Sequence, residues 1–283
     1  MTLIEARAVA DAVLFRSHRS CHAPATSPHD RALRSEMRFQ FGVLAPRGAG
    51  PAENWFAQTE CLVQGRGPIA VDVHVRCLQL RCRSGDGAWD EGVGRELPIR
   101  AELGSLTSSR TVEFALPAGT DRGSGAIWHR LRVPGRVVVE SRPVPGVRGV
   151  RLLRVRVENR ERWHPGTADT REDVLRRSLA AAHSVLVVRG GQFVSALEPP
   201  EWAAGLASGC ANVNTWPVLI GDRGARGVLL CSPVILPDHP VVLPRQEGRR
   251  AARPPRPVSA APAPRAPSDV VPVHGLPAPP AGS

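Results

Sequence analysis

A chain of 283 residues with 42% apolar residues and a net charge of +11 is long enough to bury a sizeable core. No run of about 18 uncharged apolar residues occurs, which excludes a membrane-spanning helix of that kind. Glu5 and Asp11 inside the first apolar stretch argue against a secretory signal, so the expected location is cytoplasmic.

All 37 basic residues are arginine and tyrosine is absent, the composition of a GC-rich genome, and aromatic residues make up only 4%. Few stacking platforms are therefore on offer to a nucleic acid, and weak binding through arginine-rich surfaces is the least favoured functional reading. Without a secretory context the six cysteines are expected as reduced thiols, most of them packed as small apolar side chains.

Four parts are expected along the chain. Residues 1–36 hold a short amphipathic helix over MTLIEARAVADAVLF and then an irregular segment, Arg16–Ser35. His18, Cys21, His22 and His29 fall in that segment, but without the paired ligand spacing of a zinc site. Residues 37–165 read as an antiparallel, sandwich-like sheet. Strands are expected at RFQFGVLAP, at NWFAQTECLVQG, and at AVDVHVRCLQLRC, where Val71, Val73, Val75 and Cys77 share one face. Others follow at Thr111–Leu116, Arg136–Ser141 and Val150–Asn159, separated by turns rich in Gly and Pro. Cys61, His74, Cys77 and Cys82 are the candidate metal ligands by residue type. Period-two geometry opposes them, because Cys77 points away from the face of His74 and Cys82.

Residues 166–243 read as a capped helix followed by two hairpins. Thr170 is the expected N-cap, with Asp173 three residues on. Val174, Leu175, Leu179, Ala182 and Leu186 recur at helical spacing, which places His183 near the helix C-terminus as a structural, partly charged imidazole. SVLVVRGGQFVSAL is expected as a hairpin turning at Gly190-Gly191, and TWPVLIG with GVLLCSPVIL as a second one. A short helical turn is expected after Glu201 and Trp202. These strands are apolar on nearly every residue, so both faces should be covered, with the 171–183 helix as the cover. Residues 244–283 form a Pro/Arg/Ala tract with no means of packing, a disordered tail. The fold class is thus α+β and β-dominated: a sandwich-like part, a helix with two hairpins, and the tail.

The segments VADAVLF, RFQFGVLAP, QTECLV, TREDVLRRSLAAAH, FVSALEPPEWA, TWPVLIG and LLCSPVILPDHP together resemble a bacterial, largely actinobacterial family associated with nickel–iron hydrogenase gene clusters. The resemblance touches most of the chain before residue 244, and its last four segments are the distinctive ones. It implies an accessory or assembly role near a hydrogenase, with hydrogenase subunits or maturation proteins as partners, and supplies no catalytic residues. The chain departs from the family at Arg16–Ser35, where a tyrosine-rich segment would be expected, and after the Asp238-His239-Pro240 motif. Both replacements have the composition of GC-rich coding read in another frame.

No G-x-S-x-G, P-loop, G-x-G-x-x-G or H-E-x-x-H pattern is present, so no catalytic residue and no cofactor is assigned. Ser195 with His183 could be drawn as nucleophile and base, but nothing in the sequence activates that serine. Glu198, Glu201, Trp202, Trp216, Asp238 and His239 are the candidate docking surface for a protein partner. A non-catalytic accessory or assembly protein is the leading reading, with a metal- or cofactor-carrying module as the alternative.

Overall fold

The computed structural model describes residues 3–15, 41–84, 90–104, 107–123 and 126–241, together with the backbone of His274 and Gly275. The chain begins with α1 (Leu3–Ala10), which widens into a π-helical turn over Asp11–Phe15. Eight strands follow: β1 (Phe56–Gln64), β2 (Ile69–Ser84), β3 (Asp90–Leu103), β4 (Ser108–Leu116), β5 (Gly119–Gly123), β6 (Ala126–Arg130), β7 (Val133–Pro143) and β8 (Val150–Asn159). Next come α2 (Arg171–Arg176), β9 (Ala180–Arg189) and β10 (Gln192–Phe193). A 3-10 turn (Glu201–Ala203) leads into α3 (Ala204–Ser208), then β11 (Trp216–Leu219) and β12 (Val228–Ser232), with β13 (His274–Gly275) near the end.

Two antiparallel sheets form a sandwich. The first runs β10-β1-β8-β7-β4, and the second β11-β12-β9-β2-β3-β13, with β6 joining β2 and β5. Between them lies the main core. Val71, Val73, Val75 and Cys77 of β2 face Cys61 and Val63 of β1 and Leu153, Val155 and Val157 of β8, as period-two alternation predicts. Val112, Phe114 and Leu116 of β4 are buried in the same cluster. At β7, Gly135 leaves room for the Phe114 ring, since a Cβ there would fall 2.2 Å from its Cζ.

The outer faces of both sheets are covered in part. Ala6, Val9 and Ala10 of α1 pack on Val185, Val218, Ile220, Val228 and Leu230, closing the second sheet from outside. On the first sheet, Ala203 and the partly buried Leu206 sit over Leu62, Leu152 and Val194.

Three expectations need correction. The helix over 170–183 is only one turn and a half, Arg171–Arg176, and Ala180 onward is strand β9. Its N-terminus does form as expected, since the Asp173 carboxylate accepts from both the backbone N–H and the hydroxyl of Thr170, each at 2.9 Å. Leu179 exchanges backbone hydrogen bonds with Leu44, and Ala181 has φ of 48°, a left-handed conformation that a continuing helix cannot contain. The cover over the apolar strands is therefore α1.

The second correction concerns Gly190-Gly191. β9 pairs with β2 and β12, whereas β10 pairs with β1, so the glycines carry the chain from one sheet to the other instead of closing a hairpin. Third, Arg47 and Leu44 make only isolated bridges, and Phe41 is 55% exposed, so no regular strand crosses residues 41–46. The hairpin of β11 and β12 and the helical turn after Glu201 form as read. The expected boundary at 165 does not separate the two parts in space, because β9, β11 and β12 complete the second sheet and β10 extends the first.

The expectations for Arg16–Ser35, including His18, Cys21, His22 and His29, and for Phe39 lie outside the described residues. So does the tail expected over 244–283, apart from β13, which pairs His274 with Glu96 and Gly275 with Arg95. No helix among the described residues is long and apolar enough to cross a membrane.

Candidate functional site

The candidate metal ligands do not share a location. Cys61 and Cys77 point into the inter-sheet core at 3% and 4% exposure, and His74 lies on the outer face of β2. There its Nδ1 donates to Glu96 Oε1 at 2.8 Å. Cys82 sits further along β2, opposite Asp90. Burial pushes the Cys77 and Cys231 thiols up to about 12 and Cys210 to about 11. Burial raises Cys61 and Cys82 too. Cys61, Cys77, Cys82, Cys210 and Cys231 are all free thiols. Among the described residues no three His, Cys, Asp or Glu side chains gather as a metal site would require.

The six docking residues are distributed over two layers. Glu198, Glu201 and Trp202 belong to the connection that packs Ala203 on the outer face of the first sheet. Trp216 shares the outer face of β11 with Val218, which lies under α1 on the other side of the sandwich. Asp238 and His239 fasten the chain after β12. Asp238 accepts from Ser195 Oγ at 2.5 Å and from the Leu219 N–H at 2.7 Å, and the His239 N–H donates to the Leu219 carbonyl. The Ser195 hydroxyl also receives the N–H groups of Leu197 and Glu198. It makes no bond to His183, so the two do not form a nucleophile–base pair.

Three arginines of the first sheet's outer face, Arg136, Arg154 and Arg156, are already partnered. Arg154 bridges Glu60 at 2.6 Å and Glu140 at 3.1 Å, from the strands on either side of it. Arg136 and Arg156 both reach Glu158. Such cross-strand ladders neutralise the face from within, which leaves less free charge for an acidic partner or a nucleic acid than the composition suggests.

A polar cluster that local sequence patterns do not reveal lies beneath the N-terminal segment. Arg76 of β2 is 1% exposed and is paired laterally with Glu96 of β3 and with His183 of β9. Its Nη2 donates to Asp11 Oδ1 at 2.7 Å and its Nε lies 3.4 Å from Glu96 Oε2. Arg7 of α1 is hydrogen-bonded to the same Glu96. His183 Nδ1 is 2.8 Å from the Ala181 carbonyl, which can only accept, so Nδ1 carries the proton. The Nε2 lone pair therefore faces Arg76 Nη1 at 3.4 Å. The rings of Phe15 and His183 meet edge to face at 5.2 Å.

Electrostatics fit this balance. Burial, aided by the charge of Arg76, drops the His183 pKa to about 3, against opposing contributions from the Ala181 carbonyl and Glu96. Burial would raise the Glu96 carboxyl, but hydrogen bonds from His74 and Arg7 and the charges of Arg7 and Arg76 outweigh it and hold the group at about 2. The imidazole lone pair is thus committed to a cation and the guanidinium is shared among three partners. As arranged, the cluster works as a clasp that ties α1 to the second sheet.

A pH dependence follows from the two shifts. Unfolded His183 binds a proton below about 6.5 while the folded chain does not until about 3, so stability is full above 6.5 and falls as pH decreases. The slope should approach roughly 1.4 kcal/mol per pH unit between about 6 and 5. Glu96 adds a further loss as pH falls from 4.5 toward 2. Urea denaturation of the wild type and His183→Gln over pH 8 to 5 checks this. The wild type should lose stability below 6.5 and the variant should lose less; parallel profiles would refute the assignment.

The fold is a two-sheet antiparallel sandwich with a clasped N-terminal helix on one outer face and a short helical connection over part of the other. In comparisons with known proteins, no family model and no curated protein sequence matches the chain.

Proposed function

We propose that the protein is a non-catalytic accessory or assembly factor acting by protein–protein contact in a hydrogenase-related pathway. The observation that carries the contact reading is an exposed apolar rim at one end of β11 and β12. Trp216 is 44% exposed and pairs with Ser232, while Ile235, three residues further on, is 74% exposed. Phe41, at 55%, adjoins Gly42, whose position packs against Pro233 between them. Large side chains left in water at neighbouring positions are the usual mark of a surface completed by a partner. The Asp238 carboxylate accepts from the Leu219 N–H and the His239 N–H donates to the Leu219 carbonyl of the same hairpin, which gives the rim a fixed frame. The hydrogenase context rests on the resemblance of the sequence segments alone.

Affinity capture from the native organism under anaerobic, low-salt conditions tests both halves. Hydrogenase subunits or maturation proteins should be retained by the wild type. Trp216→Ala combined with Ile235→Ser should reduce their recovery at least tenfold, in line with truncation of a buried aromatic anchor. Recovery of none of these proteins would refute the pathway, and recovery unaffected by the double substitution would refute the rim.

A further inference from the structure

The chain closes most of its own sheet edges. Along β1, Gln58 exchanges backbone hydrogen bonds with Val213 at 2.9 and 2.8 Å. On the same edge the Glu60 N–H donates to Asn212 Oδ1 at 3.0 Å, and the Phe56 carbonyl accepts from Asn214 Nδ2 at 2.9 Å. At β11, Pro217 has no N–H, and the backbone groups of Leu219 are bonded to Asp238 and His239. Along β3, His274 pairs with Glu96, Pro98 has no N–H, and the Arg100 carbonyl accepts from the Arg110 guanidinium. Covering segments and edge prolines of this kind keep strands from pairing with other chains.

β4 has neither. It ends the first sheet, pairs with β7 along its whole length without a bulge, and contains no proline. The phase of its hydrogen bonds follows from β7. The Val144 N–H donates to the Val150 carbonyl and the Arg160 N–H to the Pro134 carbonyl. Bonded and non-bonded pairs alternate in an antiparallel ladder, so even-numbered residues of β7 bond β8 and odd-numbered ones bond β4. Val137 stands opposite Val112 and Val139 opposite Arg110, so the even-numbered residues of β4 turn their backbone groups to β7. Ser109, Thr111, Glu113 and Ala115 therefore present N–H and C=O outward, where no described residue bonds them.

The side chains of this edge suit a second copy of itself. Arg110 is turned to the Arg100 carbonyl, and Glu113 lies 4.0 Å from Arg136, so the strand offers no net charge that would select a charged partner. Antiparallel pairing about a two-fold axis at Thr111 sets that threonine opposite its own copy and Ser109 opposite Glu113. The serine hydroxyl can then donate to the carboxylate on both sides of the axis. Arg110 falls opposite Val112, so no like charges stand directly opposite each other. A shift by one residue would set outer-face side chains against the inner face of the partner.

We propose that β4 is a homodimerisation edge, with two copies pairing antiparallel through Ser109, Thr111 and Glu113 so that their five-stranded sheets become one continuous sheet. Backbone hydrogen bonds supply the affinity and the symmetric side-chain pairs fix the register. β4 lies beside β3, whereas the rim around Trp216 belongs to β11 at the other end of the second sheet, so the dimer leaves that rim free.

Sedimentation velocity of the full chain over a wide range of concentration tests the assignment. The wild type should pass from monomer to dimer as concentration rises. Thr111→Pro should weaken association at least roughly tenfold, since the pair on the axis loses both of its N–H donors. It should still fold, because that N–H points away from β7, and far-UV circular dichroism checks this. Thr111→Cys under mild oxidation should give a disulfide-linked dimer well above the level of the wild type, which controls for the native thiols. Ser208→Cys, at an exposed position on α3, should stay at the wild-type level. Trp216→Ala with Ile235→Ser should remain dimeric. The proposal is overturned by a monomer at every concentration, by a folded Thr111→Pro variant that dimerises as the wild type does, by absence of the Thr111→Cys link, or by loss of the dimer in the Trp216 and Ile235 double variant.

Discussion

Arg76→Ala should destabilise the protein by about 3–5 kcal/mol, the range expected when one partner of a buried ion pair is removed. The guanidinium is fully buried at 1% exposure and stands between Asp11, Glu96 and His183. Without it, Glu96 keeps Arg7 and His74, but Asp11 loses the bond that holds the π-helical turn to the sheet. His183 loses the group that its lone pair faces. Asp11→Ala should cost far less, because Asp11 is 46% exposed and water can replace part of what it does. Urea denaturation at pH 7.5 measures both. Limited proteolysis would show whether the segment before Phe15 detaches first, as a clasp predicts. Loss of less than about 1 kcal/mol for Arg76→Ala would mean that the cluster is not holding the helix.

Gly190→Ala is expected to be comparably severe, at about 3–5 kcal/mol, combining left-handed backbone strain with overpacking. Gly190 has φ of 74°, and an added Cβ would meet the Pro68 carbonyl oxygen at 2.1 Å, a backbone atom that cannot swing away. The residue sits where the chain leaves β9 for β10, beside the start of β2, so relief of the clash would have to draw the end of β9 away from its neighbour β2. Gly67→Ala in the adjacent turn is the matched control, since its Cβ would meet nothing within 4 Å. Equal thermal stability of the two variants would contradict the close approach of the Gly190 and Pro68 backbones.

Much of the sandwich is legible in the residues. β1, β2, β4, β7 and β8 each carry one inward apolar face and one polar face, and that alternation needs no knowledge of the partner strand. β3 escapes the same test. Gly92, Gly94 and Pro98 interrupt its pattern. β9 misleads in the opposite direction. With its outer face under α1 and its inner face in the core, it is apolar at nearly every position, and the Leu175, Leu179, Ala182 and Leu186 spacing imitates a helix.

The candidate sites were less readable for the same reason. Arg76 meets Glu96 only through the register of β2 on β3, and His183 only through β9 on β2. By itself the sequence determined that the protein is β-dominated, which strand faces turn inward, and where most turns fall, because side-chain period and turn chemistry are local properties. Tertiary structure alone decided which strands share a sheet, that α1 is the cover, and which buried charges meet. Those outcomes depend on pairing between residues far apart in the chain, and that pairing is settled by how the whole set of apolar faces can be buried together.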